Sequence, residues 1–219
     1  MPTIFLIRHG ENPANITKEF SYKHVDYSLT EKGRLQAQQT AAWCADQAMT
    51  QIYSSPLKRA CETAEIIRRT LYLPAVHIRE AFREINVGHL EGQRATTELW
   101  TQYTGITTAW EQGDASRTFP GGENYHDVLT RMRHGLQEIK ATQPHDARVV
   151  IVGHGGIFNA TICDLCHNMK PDDLACIENH NCSVTEIDRS GVEMSVKFWA
   201  NSDHLSGKAA ELISGVLKT

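Results

Sequence analysis

Two histidines, each followed by glycine, stand at the ends of short apolar segments that have the composition of buried strands. The first segment is "FLIRHGE", in which Arg8 precedes His9, and the second is "VVIVGHGG", which contains His154. In open α/β sheets, ligands bind beyond the carboxyl ends of the strands. A glycine after each histidine lets the backbone turn sharply and approach a ligand closely. A single histidine of this kind is more often structural, but two at matched strand ends, one beside an arginine, predict a shared pocket for an anion.

A third candidate for this pocket is Arg59, in "SSPLKRACETA". The sequence places it in the first turn of a helix, where free N–H groups and the helix dipole already favour an anion. Arginines on helix surfaces are common, and the position of Arg59 is informative because a predicted strand end lies just before it. We therefore expect Arg59 to point toward the same edge of the sheet.

Chemistry on an acidic substrate would also need a group that gives a proton to the leaving oxygen. A carboxyl group in a partly dry site can have its pKa raised enough to do this. The chain offers Glu80, Glu84 and Glu91 in and before "REINVGHLEG". Composition does not choose among these three carboxylates, each of which could equally lie on the surface.

The elements that must position these residues alternate between strand and helix. Strands are predicted at 3–7, 51–54, 76–78 and 148–152; helices are predicted after Thr30, from Ser55-Pro56, through 128–139 and from about 157. The pattern predicts an α/β fold, a three-layer αβα sandwich with a mostly parallel central sheet. We expect one domain over residues 1–219.

Three further segments complete this prediction. Residues 11–28 are polar and irregular and are predicted to be a loop. Residues 85–125 form a helical or irregular excursion from the sandwich, closed by the turn "PGGEN". Residues 192–198 alternate between apolar and polar and are predicted to form an antiparallel hairpin with 183–187 through "DRSG".

Charge and hydropathy exclude several classes of partner. The formal net charge of −4 gives no overall attraction to nucleic acid or acidic membranes. The N-terminal "MPTIFLI" has no basic leader, and no segment approaches the ~20 apolar residues of a membrane-spanning helix. We expect a cytoplasmic protein with reduced cysteines, without a nucleic-acid or membrane partner.

Six segments carry a resemblance to a known family: "LIRHGEN", "LTEKGRLQA", "SSPLKRACETA", "REINVGHLEG", "PGGEN" and "VVIVGHGG". In order and spacing they resemble the phosphoglycerate-mutase-like branch of the histidine phosphatase superfamily. The resemblance runs from residue 3 to about 160 and is extended by "NCSVTEI" and "NSDHL". It implies a phosphatase that hydrolyses small phosphomonoesters through a phosphohistidine, with no metal and no cofactor.

The resemblance also implies a role for each matching residue. His9 matches the nucleophile, and Glu84 matches the acid and base, which leaves Glu91 a structural role. The residues implied to contact the phosphoryl group are Arg8, Arg59, His154, Asn15 and the amide of Gly155. The implied partner is a small phosphorylated metabolite.

Two alternatives remain open at this stage. A cofactor-dependent phosphoglycerate mutase would use the same site, and a non-catalytic protein would bind a phosphorylated ligand without turnover. The identity of the substrate and the oligomeric state are open as well. We expect the segment 95–120 to line the leaving-group side of the site, through Trp100, Tyr103, Trp110 and Arg117.

The cysteines offer two competing interpretations. "CDLCH", from Cys163 to His167, has the spacing of a haem-attachment motif, but it lies in a predicted buried helix and no export signal precedes it. A zinc site is the second possibility, built from Cys163, Cys166, His167, Cys176, His180 and Cys182. Cysteines three apart in a helix also share one packed face, and we expect Cys163 and Cys166 to serve packing.

Overall fold

The computed structural model describes residues 2–190 and 193–211. Within these residues, six strands form one sheet: β1 (Thr3–Arg8), β2 (Gln51–Ser54), β3 (His77–Ile78), β4 (Arg148–Gly153), β5 (Val184–Ser190) and β6 (Glu193–Asn201), in the order β3-β2-β4-β1-β5-β6. The four strands β3, β2, β4 and β1 are parallel, whereas β5 pairs antiparallel with β1, and β6 with β5. The mostly parallel sheet is therefore confirmed.

Helices cover both faces of the sheet in the described part of the chain. They are α1 (Pro13–Thr17), α2 (Glu31–Ala45), α3 (Lys58–Thr70), α4 (Thr97–Glu111), α5 (Tyr125–Thr142), α6 (Gly155–Leu165) and α7 (Pro171–Cys176). Buried residues of α2 and α3 pack on one face, and buried residues of α5 and α6 pack on the other. This arrangement is the predicted three-layer αβα sandwich.

The apolar sequence of β1 explains why both faces are covered. Successive side chains of a strand point to opposite faces. Ile4 and Leu6 belong to the core under α5 and α6, whereas Phe5 and Ile7 belong to the core under α2 and α3. A strand that is apolar at every position must be buried on both sides, as is usual in parallel sheets.

Two local predictions were wrong. Residues 11–28 are not all loop, because Asn12 and Asn15 each accept a hydrogen bond from the other's backbone N–H and cap the short helix α1. Helix α3 begins at Lys58 and not at Ser55-Pro56. Its N-terminus is capped from a distance, because the backbone N–H of Lys58 donates to the carboxylate of Asp26 at 2.8 Å.

The excursion at 85–125 contains a 3₁₀ turn at Gly88–Leu90 and helix α4, and it closes where Thr118 and Asn124 form an antiparallel bridge. The predicted C-terminal hairpin is present as β5 and β6, although Gly191 and Val192 lie outside the described residues. No helix in the described ranges is long and apolar enough to cross a membrane. The prediction of one domain over residues 1–219 stays a prediction.

The cysteines of the motif "CDLCH" end helix α6. Cys163 is half-buried and Cys166 is buried, and burial raises the pKa of their thiols to about 11 and about 12. Both side chains contribute to or pack against the core beneath α5 and α6. Among residues 2–190 and 193–211, no three His, Cys, Asp or Glu side chains are grouped so that they could hold a metal ion.

Candidate active site

The carboxyl ends of β1 and β4 bring the two histidines together. In the parallel register Arg8 lies beside Gly153, so the residues that follow, His9 and His154, are neighbours. Their ring centroids are 5.1 Å apart and the rings are tilted by 59°. Both side chains are buried. The fold itself therefore brings the two histidines of the predicted pocket side by side.

The imidazole of His9 is held in one orientation by two contacts. Its Nδ1 lies 2.7 Å from the carbonyl oxygen of Gly10, and its Nε2 lies 3.1 Å from Nε of Arg59. A carbonyl can only accept and a guanidinium can only donate, so Nδ1 carries the proton and Nε2 presents its lone pair. Burial, followed by the positive charges of Arg59 and Arg8, lowers the pKa of His9 well below its ordinary value. His9 is thus a neutral imidazole with an unprotonated Nε2.

Arg59 lies in the first turn of α3 and is almost fully buried. Beyond His9, its two terminal nitrogens donate to one residue, Ser21, at 2.9 Å to the hydroxyl and 3.0 Å to the carbonyl oxygen. Burial lowers the pKa of Arg59 to about 10, which still leaves the guanidinium charged at neutral pH. The N-terminus of α3 itself is occupied by the carboxylate of Asp26, so the expected help of this helix dipole to a bound anion is offset.

His154 is the N-cap residue of α6. Its Nε2 lies 2.7 Å from the hydroxyl of Ser55 at the end of β2. Burial, and then the positive charge of Arg59, lower its pKa well below the ordinary value. Its Nδ1 is buried and has no hydrogen-bond partner within the described part of the chain. His154 is therefore a neutral imidazole with one nitrogen left for a ligand.

Arg8 lies along the first turn of α6. A Cβ added to Gly155 would lie 3.4 Å from Cδ and Nε of Arg8, an ordinary contact distance, so the side chain of Arg8 packs directly against this helix end. One terminal nitrogen of Arg8 donates to the carbonyl oxygen of Asn179. Its Nε is buried and has no partner among the described residues. The amide of Gly155 at the helix N-terminus and this arginine together form an anion site.

Glu84 lies at the same helix N-terminus. Its carboxylate accepts hydrogen bonds from the backbone N–H of Gly156 at 3.1 Å and of Ile157 at 2.8 Å. The other two candidate carboxylates lie elsewhere. Glu80 is largely exposed and pairs with Arg83. Contacts that composition could not predict therefore separate Glu84 from the other two.

The hydrogen bonds of Glu91 hold a neighbouring loop. One oxygen of its carboxylate accepts hydrogen bonds from four successive backbone N–H groups, those of residues 22–25. Burial alone would raise the pKa of Glu91, but these four donors together lower it. Glu91 thus holds the backbone of residues 18–28, which we call the rim loop because Ser21 within it contacts Arg59.

Asn15 joins the site through a second asparagine. The side-chain nitrogen of Asn181 donates to Oδ1 of Asn15 at 3.1 Å and to the carbonyl oxygen of His9 at 3.0 Å. Because Oδ1 of Asn15 is used in this way, the group that Asn15 can offer to a ligand is its Nδ2 donor. The seven predicted site residues thus lie around the ends of β1 and β4 and the start of α6. They are Arg8, His9, Asn15, Arg59, Glu84, His154 and Gly155.

A family model described as histidine phosphatase superfamily (branch 1) matches residues 4–202. The chain belongs to the histidine phosphatase superfamily. This confirms the predicted family and fold.

Relatives and solved structures agree with this assignment. The uncharacterized phosphatase PhoE of Bacillus subtilis is 28% identical over 94% of this chain and 98% of its own length. The probable phosphoglycerate mutase GpmB of Erwinia tasmaniensis is 31% identical over 86% of this chain and 85% of its own length. The mycobacterial glucosyl-3-phosphoglycerate phosphatase, solved with VO3, has a TM-score of 0.79 at 27% identity and covers 92% of this chain and 100% of that chain. These matches confirm the prediction of a phosphatase enzyme.

Three residues of the site in this histidine phosphatase were missed by sequence reasoning: Ser21, Ser55 and Asn181. Ser21 comes from a loop without a recognisable motif. Ser55 was interpreted only as a helix cap, although "SSP" directly after a strand places a hydroxyl at the same sheet edge as His154. Asn181 lies in "NCSVTEI", a segment that extended the resemblance without an assigned role.

The segment predicted to line the leaving-group side contributes two side chains to an aromatic cluster. Trp100 and Tyr103 of α4 stack with ring centroids 5.2 Å apart, and Phe20 of the rim loop lies 5.6 Å from Tyr103. Burial, and then the negative charge of Glu84, raise the pKa of Tyr103. The prediction for Trp110 was wrong, because its ring is buried in the core and its indole N–H donates to the carbonyl oxygen of Arg117.

The glycine after His9 has a different purpose from the one predicted. A Cβ at Gly10 would overlap the backbone carbonyl of Gly33 in α2. Gly10 therefore allows β1 and α2 to approach each other, whereas a Cβ at Gly155 would meet Arg8 only at an ordinary contact distance.

Proposed function

We propose that this protein is a metal-independent phosphatase that hydrolyses small phosphomonoesters through a phosphohistidine on His9. The observation that carries the proposal is the environment of His9 Nε2. The atom is unprotonated, it is oriented by the contact of Nδ1 with Gly10, and it lies beside the buried guanidinium of Arg59. A nucleophile in this state is ready to attack phosphorus without first losing a proton.

The phosphoryl group would bind where the positive groups converge. Arg8 and Arg59 offer planar guanidinium forks with permanent charge, and the start of α6 offers the amide of Gly155. Nδ1 of His154 and Nδ2 of Asn15 complete the donors. Phosphoryl transfer proceeds through a loose transition state with charge on the equatorial oxygens, so positioning and electrostatic stabilisation supply most of the catalysis.

In the first step the lone pair of His9 Nε2 forms the N–P bond while the P–O bond to the leaving group breaks. Glu84, in its protonated form, gives its proton to the leaving oxygen, and the alcohol departs. In the second step Glu84, now a carboxylate, takes a proton from the attacking water. The N–P bond breaks, its electron pair returns to Nε2, and inorganic phosphate is released.

The test is phosphate release from para-nitrophenyl phosphate and a panel of small phosphomonoesters, with EDTA present. The native protein should turn over and His9→Ala should not. His134→Ala is the matched control, since His134 is exposed on α5 and its loss should leave turnover unchanged. Rapid quenching should trap an acid-labile phosphoenzyme in the native protein only. Turnover that survives His9→Ala would overturn the proposal.

A phosphoglycerate mutase is the second candidate, favoured by the 31% identity to the relative named probable phosphoglycerate mutase. Conversion of 3-phosphoglycerate to 2-phosphoglycerate by the same preparations would support it.

Our choice of a small phosphorylated metabolite as substrate is supported by the structural neighbour named for glucosyl-3-phosphoglycerate. Cytoplasmic location and the lack of nucleic-acid and membrane partners stay predictions.

A further inference from the structure

Glu123 and Arg131 form an ion pair beside the segment that carries Glu84. Glu123 belongs to the turn "PGGEN", and Arg131 lies on α5. Nε of Arg131 donates to one carboxylate oxygen of Glu123 at 2.8 Å, and a terminal nitrogen donates to the other at 3.0 Å. Both side chains are about four-fifths buried.

The remaining hydrogen bonds of Arg131 go to the backbone around Glu84. Its guanidinium donates to the carbonyl oxygens of Ala81 at 3.0 Å, Arg83 at 2.6 Å and Glu84 at 3.1 Å. A guanidinium has five N–H donors, and these three contacts with the two to Glu123 use all of them. An arginine is required here, because the three donors of a lysine radiate from one atom and cannot reach this set.

Glu123 holds the other side of the same segment. Its carboxylate accepts from the backbone N–H of Asn86 at 2.8 Å, and its own backbone N–H donates to the carbonyl oxygen of Asn86 at 2.9 Å. The backbone from 81 to 86 is thus held on both sides of Glu84 by one ion pair. Neither partner contacts the histidines or the arginines of the phosphoryl site in the hydrogen bonds described above.

We propose that Glu123 and Arg131 are positioning residues for the acid–base group Glu84. The inference rests on the proposed function, since it assigns the pair to the step in which Glu84 transfers a proton. A general acid must lie within hydrogen-bond reach of the leaving oxygen, and a displacement of about 1 Å can reduce a rate by about 100-fold. The pair fixes the backbone from which the Glu84 carboxylate extends toward α6.

The test compares substrates whose leaving groups need protonation to different degrees. The kcat/KM values of a series of phosphomonoesters, from para-nitrophenyl phosphate to an alkyl phosphate, are plotted against leaving-group pKa for native protein, Arg131→Lys, Glu123→Gln and Glu84→Gln. Arg68→Lys is the matched control. Arg68 also makes a bidentate pair, with Glu65, and donates to one backbone carbonyl, but it lies in the last turn of α3.

We expect Arg131→Lys and Glu123→Gln to make the decrease of kcat/KM with leaving-group pKa steeper, as Glu84→Gln should also do. Activity on the alkyl phosphate should fall by about tenfold to 100-fold, whereas activity on para-nitrophenyl phosphate should fall much less. Arg68→Lys should keep the native slope. A uniform decrease for all substrates would indicate loss of folded protein and would overturn the positioning role.

The proposed function and the positioning role would be contradicted by different results. If Glu84→Gln steepens the plot and the two pair variants do not, the positioning role is wrong and the proposed function stands. If Glu84→Gln itself keeps the native slope, the role of Glu84 in the proposed function is wrong, and the inference about the pair is wrong with it.

Discussion

Arg59 donates its Nε–H to Nε2 of His9 across 3.1 Å, so the cation of the site is hydrogen-bonded to the atom that would attack phosphorus. The contact serves two purposes. It directs the lone pair of Nε2 at the guanidinium of Arg59, and it discourages protonation of the imidazole. When Nε2 bonds to phosphorus, this donor becomes available to a phosphoryl oxygen.

Replacing Arg59 with lysine should therefore impair catalysis although the charge is kept. An ammonium cannot contact His9 and both oxygens of Ser21 in the same geometry. We expect kcat for para-nitrophenyl phosphate to fall by about 100-fold to 1,000-fold. Lys58→Arg, at the neighbouring exposed position, is the control. Native-like kcat in Arg59→Lys would show that charge alone is sufficient.

The acidic limb of the pH profile should report the environment of His9. Because burial and the charges of Arg59 and Arg8 lower the pKa of His9, the nucleophile stays neutral below pH 6.5, and kcat/KM should persist there after correction for ionisation of the substrate. Arg59→Gln removes one of these charges and raises the pKa of His9, so the limb should move to higher pH. NMR titration of the imidazole would check the assignment. An identical limb in both proteins would contradict it.

The same two histidines should make the protein less stable in mild acid. The pKa values of His9 and His154 are depressed in the folded state, so below pH 6.5 the unfolded chain binds protons that the folded protein does not. The free energy of unfolding should therefore decrease as the pH is lowered through and below 6.5. Urea unfolding across this range would measure it. His154→Asn should reduce the slope, and the exposed His134→Asn should not.

Gly156→Ala should displace the catalytic acid. A Cβ at this position would lie 2.6 Å from a carboxylate oxygen of Glu84, which must then leave the amides of α6. We expect kcat to fall by about 100-fold, with a steeper dependence on leaving-group pKa. Gly105→Ala in α4 is the control, because nothing lies within 4 Å of its added Cβ. That variant should retain activity and gain about 0.5–1 kcal/mol of stability.

The residues that could be predicted from the sequence share one property, which is that their position follows from local pattern. His9 and His154 follow strands whose apolar runs are unmistakable, and the edge of a parallel sheet brings them together. The choice of Glu84 over Glu91 came from the resemblance and not from composition, because the difference lies in which backbone amides each carboxylate meets.

What could not be predicted depends on how distant loops close over the sheet. Ser21 reaches Arg59 only because Glu91 and Asp26 hold the rim loop in place. Asn181 reaches His9 because β5 pairs with β1 in a register that no local pattern specifies. Helix α1 was different, since Asn12-Pro13 is a readable helix start that the polar composition of the segment obscured.

The hydrogen bonds from four backbone amides to Glu91 make the main-chain path of the rim loop independent of its side chains. Because the carboxylate binds the main chain of residues 22–25, it imposes their path whatever side chains they carry. Residues 22–25 line a cavity of about 450 Å³ together with Asn86, Gly88, His89, Glu91, Gly92 and Gly121. Substitutions of the side chains at 22–25 can therefore change the shape and charge of this cavity while the main chain that carries Ser21 to Arg59 keeps its path. The rim loop thus combines a fixed backbone with a surface that is free to vary.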